Sequence, residues 1–302
     1  MKTETLSAIH FEIGEEITSD GGNVYRITRF INIGKNGAVF QVQCVEGELI
    51  GSCCALKVQY NLLEKRLKRF QREVNFLKQQ DSQLFLSHYD DGKIERNGHS
   101  YPFVVLPYVP FTLEEYASNK QLSYEEKLAF ACQLLMALSL LNEQKVIHRD
   151  IKPQNILTDG QKVVLADFGL IKHISDYSVS SDRTELLNAS ASMPRHYRTP
   201  ELVAYTNGKT SRFYMESDCF QMGLVLSWLF TGVNPLKSSK DKLADLELDM
   251  VPVIDEPSAH LVRSTIMSIL EYDYHKRITP SEALKEFLHV YEGVRELCRE
   301  VA

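Results

Sequence analysis

The sequence lacks the features that mark secreted, membrane-spanning and disulfide-stabilised proteins. Its first residues, MKTETLSAIHFEIGEE, contain no apolar core of the kind that a signal peptide needs. The longest nearly apolar stretch, Leu128–Leu141, is too short to cross a bilayer and predicts a buried helix. The six cysteines form no CxxC pair and have no histidines at zinc-ligand spacing beside them. We therefore expect a cytoplasmic protein with reduced thiols and no membrane partner.

The chain also lacks an excess of positive charge. Lys and Arg number 34 against 40 Asp and Glu, a formal net charge of −6. Bulk attraction to nucleic acid or to anionic membranes is therefore not expected. One local basic run, Leu63–Arg72, is interpreted as the solvated face of a helix rather than a nucleic-acid site. The shares of apolar (44%) and charged (25%) residues are typical of a globular protein.

No repeat or low-complexity linker divides the chain, but the predicted elements change in character near residue 110. Before it, β-branched and aromatic runs punctuated by glycine predict strands, with one amphipathic helix among them. The predicted strands are Asn23–Ile31, Ala38–Val45, Ser52–Gln59, Leu84–His88 and Tyr101–Leu106, and the helix aligns Leu63, Leu67, Phe70, Val74 and Leu77 on one face.

After residue 110 the sequence is typical of helices. Ser123 and Glu126 form a capping box at the start of the apolar helix. Thr279-Pro280-Ser281-Glu282 forms a second capping box, with proline at the first helical position, before the helix Ala283–Val290. The sequence therefore predicts a small sheet-rich lobe followed by a larger helical lobe.

Two features in the sheet-rich part are suited to phosphate. The turn Asn32-Ile-Gly34-Lys-Asn-Gly37-Ala-Val39 lies between predicted strands, where glycine lets backbone N–H groups approach phosphate oxygens. Taken alone, glycines in a hairpin are more often an ordinary turn. Lys57 in the next strand faces solvent or a site, and Glu73 on the following helix can pair with it or be one more charge in a basic helix.

Two segments in the helical part carry the residues that phosphoryl transfer needs. In Val146-Ile-His-Arg-Asp150-Ile-Lys152-Pro-Gln-Asn155-Ile-Leu157, a carboxylate, a cation and a carboxamide come from one short loop. The carboxylate can orient a hydroxyl, the cation can meet phosphoryl charge and the carboxamide can hold Mg²⁺. Asp167-Phe168-Gly169 follows an apolar strand, and this order predicts a second metal ligand at Asp167.

These segments, in this order, resemble the eukaryotic-type (Hanks-type) Ser/Thr protein kinase family over roughly residues 24–290. The resemblance implies an α+β, two-lobed protein-kinase-like fold, with a small antiparallel-sheet N-lobe carrying one helix and a larger, mainly helical C-lobe. It implies a short N-terminal extension at 1–23, the N-lobe and hinge at 24–109, and the C-lobe with a C-terminal helix at 110–302.

The resemblance also implies roles for individual residues, with ATP and Mg²⁺ (or Mn²⁺) as cofactors. Asp150 matches the catalytic aspartate, Lys152 the γ-phosphate contact, and Asn155 and Asp167 the metal ligands. The other matches concern ATP: Gly34 and Gly37 in the phosphate loop, Lys57 and Glu73 as the activating ion pair, Val39, Ala55 and Leu157 around the adenine, Leu106 at the back pocket, and Pro107, Tyr108 and Val109 as the hinge.

Other matches carry structure. The family pattern pairs Glu201 with Arg277 and uses Asp218 to brace the catalytic loop. Two positions depart from the family pattern: Asn32 replaces the first loop glycine, and Pro194 stands where a threonine usually steadies the catalytic loop, a role that Ser192 can take if the backbone bulges.

The same resemblance bears on substrate and regulation. Lys152 fits the Ser/Thr form of the loop, so we expect transfer to protein hydroxyls. Arginines at the position of Arg149 commonly pair with a phosphate on the activation segment, so we expect autophosphorylation there, although a Ser-rich loop can also be merely flexible. The candidate sites are Ser178, Ser180, Ser181, Thr184, Ser190 and Ser192.

Two alternatives stay open. A pseudokinase scaffold shares this fold but usually lacks one of Lys57, Asp150 and Asp167, all of which are present. A small-molecule phosphotransferase shares the lobes but generally lacks the Lys152 pattern and the Asp218 motif. The sequence identifies neither the acceptor protein nor an oligomeric state.

Overall fold

The glycine-punctuated runs in the first third of the chain form one antiparallel sheet. The computed structural model describes residues 11–174, 195–210, 214–237 and 246–301. Within them the chain divides into two compact units, Met1–Pro110 and Phe111–Ala302. The sheet of the first unit contains β1 (Glu16–Thr18), β2 (Val24–Ile33), β3 (Gly37–Glu46), β4 (Cys53–Gln59), β5 (Asp90–Arg96) and β6 (His99–Pro107) in the spatial order β1-β2-β3-β4-β6-β5.

Alternation along the strands gives this sheet a buried face. In β4, Cys54, Leu56 and Val58 are buried, whereas Ala55 and Lys57 between them are only partly buried. Successive strand residues point to opposite sides, so the buried set forms the core and the intervening set forms the other face. The single helix of this unit, α1 (Glu64–Lys78), buries Phe70, Val74 and Leu77 of the predicted face. Leu63, predicted on the same face, lies before the helix and is exposed.

One predicted strand is wrong. Leu84–His88 is not a strand: within it only Phe85 forms an isolated bridge, and the next strand along the chain is β5, which begins with Asp90. Phe85 and Leu86 are buried, which explains the apolar signal, but they lie in irregular structure before the sheet. The true strand, DDGKIER, is polar and has no run of β-branched residues, because it lies at an edge of the sheet.

The segment before residue 24 contributes a strand that the sequence analysis did not anticipate. β1 pairs with β2 in the register Glu16↔Arg26 to Thr18↔Val24. The turn after β1 then reaches β5 at the opposite edge of the sheet, where the backbone N–H of Asp20 donates to the carbonyl oxygen of Asp91 (3.0 Å). This turn therefore joins the two edges of the sheet.

A buried carboxylate anchors that junction. Asp90 Oδ2 accepts hydrogen bonds from Ser19 Oγ (2.5 Å), Asn23 Nδ2 (2.6 Å) and Tyr25 Oη (3.1 Å). Asp90 Oδ1 accepts from the backbone N–H of Asp91 (2.9 Å). Burial alone would raise the pKa of Asp90, but these four hydrogen bonds together outweigh it and hold that pKa below its ordinary value.

The second unit is mainly helical, as predicted. Its described helices are α2 (Leu113–Asn119), α3 (Tyr124–Glu143), α4 (Pro200–Thr206), α5 (Glu216–Thr231), α6 (Ala259–Ile269) and α7 (Pro280–Val301). Short strands flank the loops that carry polar residues: β7 (Phe111–Thr112), β8 (Val146–Ile147), β9 (Ile156–Thr158), β10 (Val163–Leu165) and β11 (Lys172–His173). The predicted α+β class, with a sheet-rich first unit and a mainly helical second unit, is confirmed.

Both predicted capping boxes are present. In the first, Ser123 Oγ accepts from the N–H of Glu126 (3.1 Å), and the Glu126 carboxylate accepts from the N–H of Ser123 (2.8 Å). Thr279 and Glu282 make the same reciprocal pair at the start of α7. That helix runs to Val301, well past the predicted end at Val290. Across the described residues, no helix combines the length and apolar character needed to span a bilayer.

Candidate active site

In the first unit, a row of predicted site residues lies on the face of the sheet opposite its core. Val39 pairs directly with Lys57 across β3 and β4, and Ala55 pairs directly with Leu106 across β4 and β6. Directly opposed residues in neighbouring strands point to the same side. The sheet thus places these four side chains on one face, although they come from positions nearly 70 residues apart.

Lys57 and Glu73 form an ion pair. Lys57 Nζ lies 2.7 Å from Glu73 Oε1 and 2.8 Å from Oε2. The glutamate side chain is 5% exposed and the lysine side chain 26% exposed. The pair therefore holds the ammonium group in place from the buried side while leaving part of the lysine accessible to a ligand.

The glycine turn between β2 and β3 is a tight hairpin whose two candidate glycines differ. The N–H of Gly34 donates to the carbonyl oxygen of Gly37 (2.9 Å). A Cβ added at Gly37 would lie 2.4 Å from the backbone oxygen of Val58, whereas one added at Gly34 would meet only an atom 3.8 Å away. Gly37 is therefore required by packing, and Gly34 borders open space.

The residue that replaces the first loop glycine does not use left-handed backbone. Asn32 does not have a positive φ, and its Oδ1 accepts a hydrogen bond from the N–H of Ile33 (2.7 Å).

The predicted hinge follows β6, which ends at Pro107, and Leu106 before it is buried. The hydroxyl of Tyr108 accepts a hydrogen bond from Arg29 Nη2 (2.6 Å), which ties this predicted hinge residue to β2.

In the second unit, the loop between β8 and β9 is held by a buried carboxylate on α5. Asp218 Oδ2 accepts from the backbone N–H of His148 (2.5 Å), and Asp218 Oδ1 accepts from that of Arg149 (2.8 Å). Burial raises the pKa of Asp218 to about 7, although both hydrogen bonds oppose the rise. Arg149 is left-handed, with φ of 70°, a conformation that disfavours ordinary side chains. The two bonds from Asp218 explain how this conformation is maintained.

The same loop brings three predicted residues together around the Asp150 carboxylate. Asp150 Oδ2 accepts from Lys152 Nζ (2.6 Å) and from Asn155 Nδ2 (2.9 Å). Asn155 Nδ2 also donates to the Asp150 carbonyl oxygen (2.9 Å). Burial raises the pKa of Asp150, and the charge of Asp167 adds to this rise, while Lys152 and Asn155 act against it. A carboxylate with a raised pKa accepts a proton more readily than a free one.

His148 is a neutral support for this arrangement. Its Nδ1 accepts from the backbone N–H of Asp150 (3.3 Å), so the proton is assigned to Nε2, which donates to the carbonyl oxygen of Ala166 (3.2 Å). Burial lowers the pKa of His148 to about 4, in agreement with the neutral ring. The imidazole thus connects the Asp150 loop to the residue immediately before Asp167.

Asp167 lies beside that loop in an unusual backbone conformation. It is exposed and left-handed (φ 61°, ψ 65°), and the N–H of its neighbour Ala166 donates to the carbonyl oxygen of Asn155 (2.9 Å). This backbone bond brings the Asn155 and Asp167 positions next to each other. Strained residues of this kind concentrate at functional sites.

Comparison with known families identifies the chain. The family model for the protein kinase domain matches residues 25–288, which is most of the sequence. The chain belongs to the protein kinase family. Its α+β fold is therefore that of a kinase domain.

Individual relatives are Ser/Thr protein kinases by name. The chain is 27% identical over 215 residues to "Probable serine/threonine-protein kinase PknB" of Lactococcus lactis, covering 70% of this chain and 32% of that protein. It is 28% identical to "Serine/threonine-protein kinase PrkC" of Bacillus subtilis, covering 70% and 31%. It is 26% identical to "Serine/threonine-protein kinase STE11" of Saccharomyces cerevisiae, covering 79% and 32%. The matched part spans about a third of each of these relatives.

The residues present fit the divalent cation that protein kinases use together with ATP. Both Nδ2 hydrogens of Asn155 are directed at Asp150, which leaves Asn155 Oδ1 as the side-chain atom available to a metal. Asp167 supplies a second, anionic oxygen. Mg²⁺ typically takes one or two such protein ligands and completes its shell with phosphates and water. In the described parts of the chain, no group of three or more His, Cys, Asp and Glu forms a metal cage by itself.

The predicted structural pair of the kinase fold is also formed. Arg277 Nη2 lies 2.7 Å from Glu201 Oε1, and both side chains are almost completely buried. The guanidinium further donates Nε to the Glu271 carbonyl (2.9 Å) and lies over the Phe220 ring, 5.0 Å from its centroid. Removing one partner would leave the other charge buried and unpaired, which costs about 3–5 kcal/mol.

The remaining predicted residues divide into two groups. Leu157 lies in β9, paired with Val164 and Thr112, within the second unit. The six candidate phosphorylation sites between Ser178 and Ser192, and Pro194, lie outside the described residues. Gln154, which occupies a position that is acidic in some kinases, donates a hydrogen bond to Glu114 Oε1 (2.5 Å).

Gln221 was assigned no role in the sequence analysis, although it contacts the loop that carries Asp150. Its side chain is buried on α5 and bonds to the backbone N–H of Ile151. The available signal was its spacing, three residues after Asp218, which puts both side chains on the same face of a helix.

Proposed function

We propose that this chain is a Ser/Thr protein kinase catalytic domain, which transfers the γ-phosphoryl group of ATP to hydroxyl groups of proteins. One observation carries the proposal: a buried carboxylate, Asp150, is held within hydrogen-bonding distance of Lys152 and Asn155 on a single loop. The names of the bacterial and yeast relatives support a protein acceptor.

Each of these residues has a distinct task in the proposed reaction. Asp150, with its raised pKa, accepts a hydrogen bond from the acceptor hydroxyl and orients it for in-line attack. Lys152 Nζ offsets negative charge that develops on the transferring group. Asn155 Nδ2 donates to Asp150 Oδ2 and to the Asp150 backbone carbonyl, which fixes the carboxylate relative to its own backbone. Little covalent chemistry is required of the protein, so positioning supplies most of the rate.

The first unit contributes the groups that bind phosphate and the nucleotide base. Lys57, fixed by Glu73, binds phosphate oxygens, and the amides near Gly34 approach them where no side chain intervenes. The row formed by Val39, Ala55 and Leu106 provides apolar contact for the adenine, with Pro107–Val109 as its backbone partner. A bound Mg²⁺ would neutralise phosphate charge, and Asn155 Oδ1 and Asp167 are the residues that would hold it.

The proposal also includes a cytoplasmic location and regulation by autophosphorylation. The described cysteines, Cys44, Cys53, Cys54, Cys132 and Cys219, are all free thiols, which supports a reducing, cytoplasmic environment. We expect autophosphorylation between Ser178 and Ser192, a segment that lies outside the described residues.

The test is transfer of labelled γ-phosphate from Mg-ATP, with the purified protein alone and with casein as acceptor, beside Asp150→Asn. We expect label on protein with the wild type and a loss of at least a hundredfold in Asp150→Asn, because an amide cannot accept the hydroxyl proton. Mass spectrometry of the labelled protein maps the modified residues. If the wild type binds ATP but labels neither itself nor casein, the proposal is wrong and a nucleotide-binding scaffold replaces it.

A further inference from the structure

Gln221 lies on the helix that supports the catalytic loop. It stands on α5 three residues after Asp218, and its side chain is buried, with only 2% of the residue exposed. Residues three apart on a helix are neighbours on one face. A carboxylate and a carboxamide of the same helix are therefore both directed at the loop between β8 and β9.

Together these two side chains satisfy the backbone on both sides of Asp150. Asp218 accepts from the N–H groups of His148 and Arg149, and Gln221 Oε1 accepts from the N–H of Ile151 (2.9 Å). The N–H of Asp150 itself donates to the ring of His148. Gln221 thus fixes the backbone directly after the Asp150 carboxylate.

The other end of the same carboxamide binds a different part of the chain. Gln221 Nε2 donates to the carbonyl oxygen of Tyr197 (2.8 Å), the last residue of the short 3-10 turn Arg195–Tyr197. The preceding carbonyl, that of His196, accepts from Asn234 Nδ2 (2.8 Å). Two side-chain amides therefore hold two consecutive carbonyl groups of this turn.

Only a carboxamide can make both of these bonds. Its oxygen accepts from an N–H group while its nitrogen donates to a carbonyl, and it does so without charge in a buried site. An ionised glutamate can accept but not donate, a methionine of similar size can do neither, and a serine is too short to span both partners. Because the two contacts share one planar group, the distance between Ile151 and Tyr197 is set by a single side chain.

We propose that Gln221 is a positioning residue, which fixes the spacing between the Asp150 loop and the Arg195–Tyr197 turn so that a protein acceptor is aligned with Asp150. The inference rests on the proposed kinase function. Its Ile151 bond acts on the orientation of Asp150 and hence on kcat. Its Tyr197 bond ties the turn to the residue that follows Asp150, so a protein whose hydroxyl reaches Asp150 lies close to this turn, and loss of the bond should raise KM for the acceptor. KM for ATP depends on neither bond.

The experiment compares wild type, Gln221→Met and Gln221→Glu for kcat, KM for casein and KM for ATP. We expect Gln221→Met to lower kcat about tenfold and to raise KM for casein severalfold, because each unmade buried hydrogen bond is worth about a factor of ten. KM for ATP should change by less than a factor of about two. Gln221→Glu keeps the acceptor for Ile151, so it should recover most of kcat while KM for casein stays high.

Ser227→Ala is the matched control. Ser227 is buried on the same helix and donates Oγ to the Val233 carbonyl (3.0 Å), away from the catalytic loop. Its loss should lower the melting temperature without changing either KM. If Gln221→Met does not fold, the comparison of Gln221→Glu with wild type decides, since raised KM for casein at constant KM for ATP supports the inference.

Other outcomes contradict it. Wild-type kcat and KM in Gln221→Met, or a parallel rise in both KM values as expected of a general folding defect, would show that Gln221 has no positioning role. A wild type that transfers no phosphate to protein would overturn the proposed function and this inference together, whereas an active wild type with unaffected Gln221 variants contradicts the inference alone.

Discussion

The buried carboxylate that joins the two edges of the first-unit sheet offers a sharp test. We expect Asp90→Asn to destabilise the junction between the β1–β2 turn and β5 while leaving the shape of the side chain unchanged. Three side-chain donors converge on Oδ2, from Ser19, Asn23 and Tyr25. The backbone N–H of Asp91 occupies Oδ1.

The magnitude follows from these four hydrogen bonds. Bonds to an ionised carboxylate are roughly twice as strong as neutral ones, so the three bonds to Oδ2 each weaken by about 1 kcal/mol when Asp90 becomes an amide. The new NH₂ group, itself a donor, must also point at another donor, either the N–H of Asp91 or the three side-chain donors that converge on Oδ2. Because neighbouring bonds are not additive, we expect a total loss of about 2–4 kcal/mol.

Hydrogen exchange measured by mass spectrometry is the suitable assay, since it reports local opening of residues 11–33 and of β5 separately from the rest of the chain. A loss of 2–4 kcal/mol corresponds to exchange faster by about 30- to 700-fold in these segments. The effect should diminish below about pH 4. Because the folded pKa of Asp90 is below its ordinary value, its contribution is present above that ordinary value and is lost as pH falls through the folded pKa.

Asp20→Asn provides the control, because Asp20 is exposed in the same turn and only its backbone N–H takes part in the junction. We expect this variant to exchange within a factor of about two of wild type. Equal protection in Asp90→Asn and Asp20→Asn would refute the reasoning, since it would mean that the carboxylate does not hold the edges together.

Two further predictions concern the glycine turn and the buried histidine. Gly34→Ala should raise KM for ATP and leave the free energy of unfolding within about 0.5 kcal/mol of wild type. Gly37→Ala should also lower the free energy of unfolding, because its Cβ would meet the Val58 carbonyl. Equal melting temperatures for the two variants would contradict this. The pKa of His148 in the folded protein lies near 4, below its ordinary value. Its neutral ring therefore contributes about 3 kcal/mol to the free energy of unfolding above about pH 6.5, and this contribution should be lost as pH falls toward 4. Urea unfolding of wild type should therefore depend more steeply on pH in this window than that of His148→Asn, and parallel slopes would rule the effect out.

The sequence predicted which residues of the candidate site lie together, because they come from short segments. Asp150, Lys152 and Asn155 lie within six residues, so one loop can bring them together, and the structure shows that it does. The ion pair of Lys57 with Glu73 was accessible in the same way, since a strand followed by an amphipathic helix limits where the glutamate can lie.

The long-range contacts of Gln221 and Asp90 were not predictable in this way. Gln221 and Ile151 are 70 residues apart, and Asp90 and Ser19 are 71 apart. The spacing of Gln221 from Asp218 places it on the helix face that meets the loop but does not identify Ile151 as its partner, and an aspartate at the start of a polar strand gives no such signal. The strand predicted at Leu84–His88 failed for a related reason: burial makes a segment apolar whether or not it is extended and paired.

The added strand β1 also bears on how this domain can be isolated. The family match begins at residue 25, after β1, and that strand covers the outer backbone groups of β2 from Val24 to Arg26. A fragment cut at the family boundary would present this row of N–H and C=O groups to solvent, and exposed edges of that kind pair with other chains. Aggregation of such a fragment would then reflect an uncovered sheet edge, and a fragment meant to stay monomeric should retain the chain from Phe11 onward.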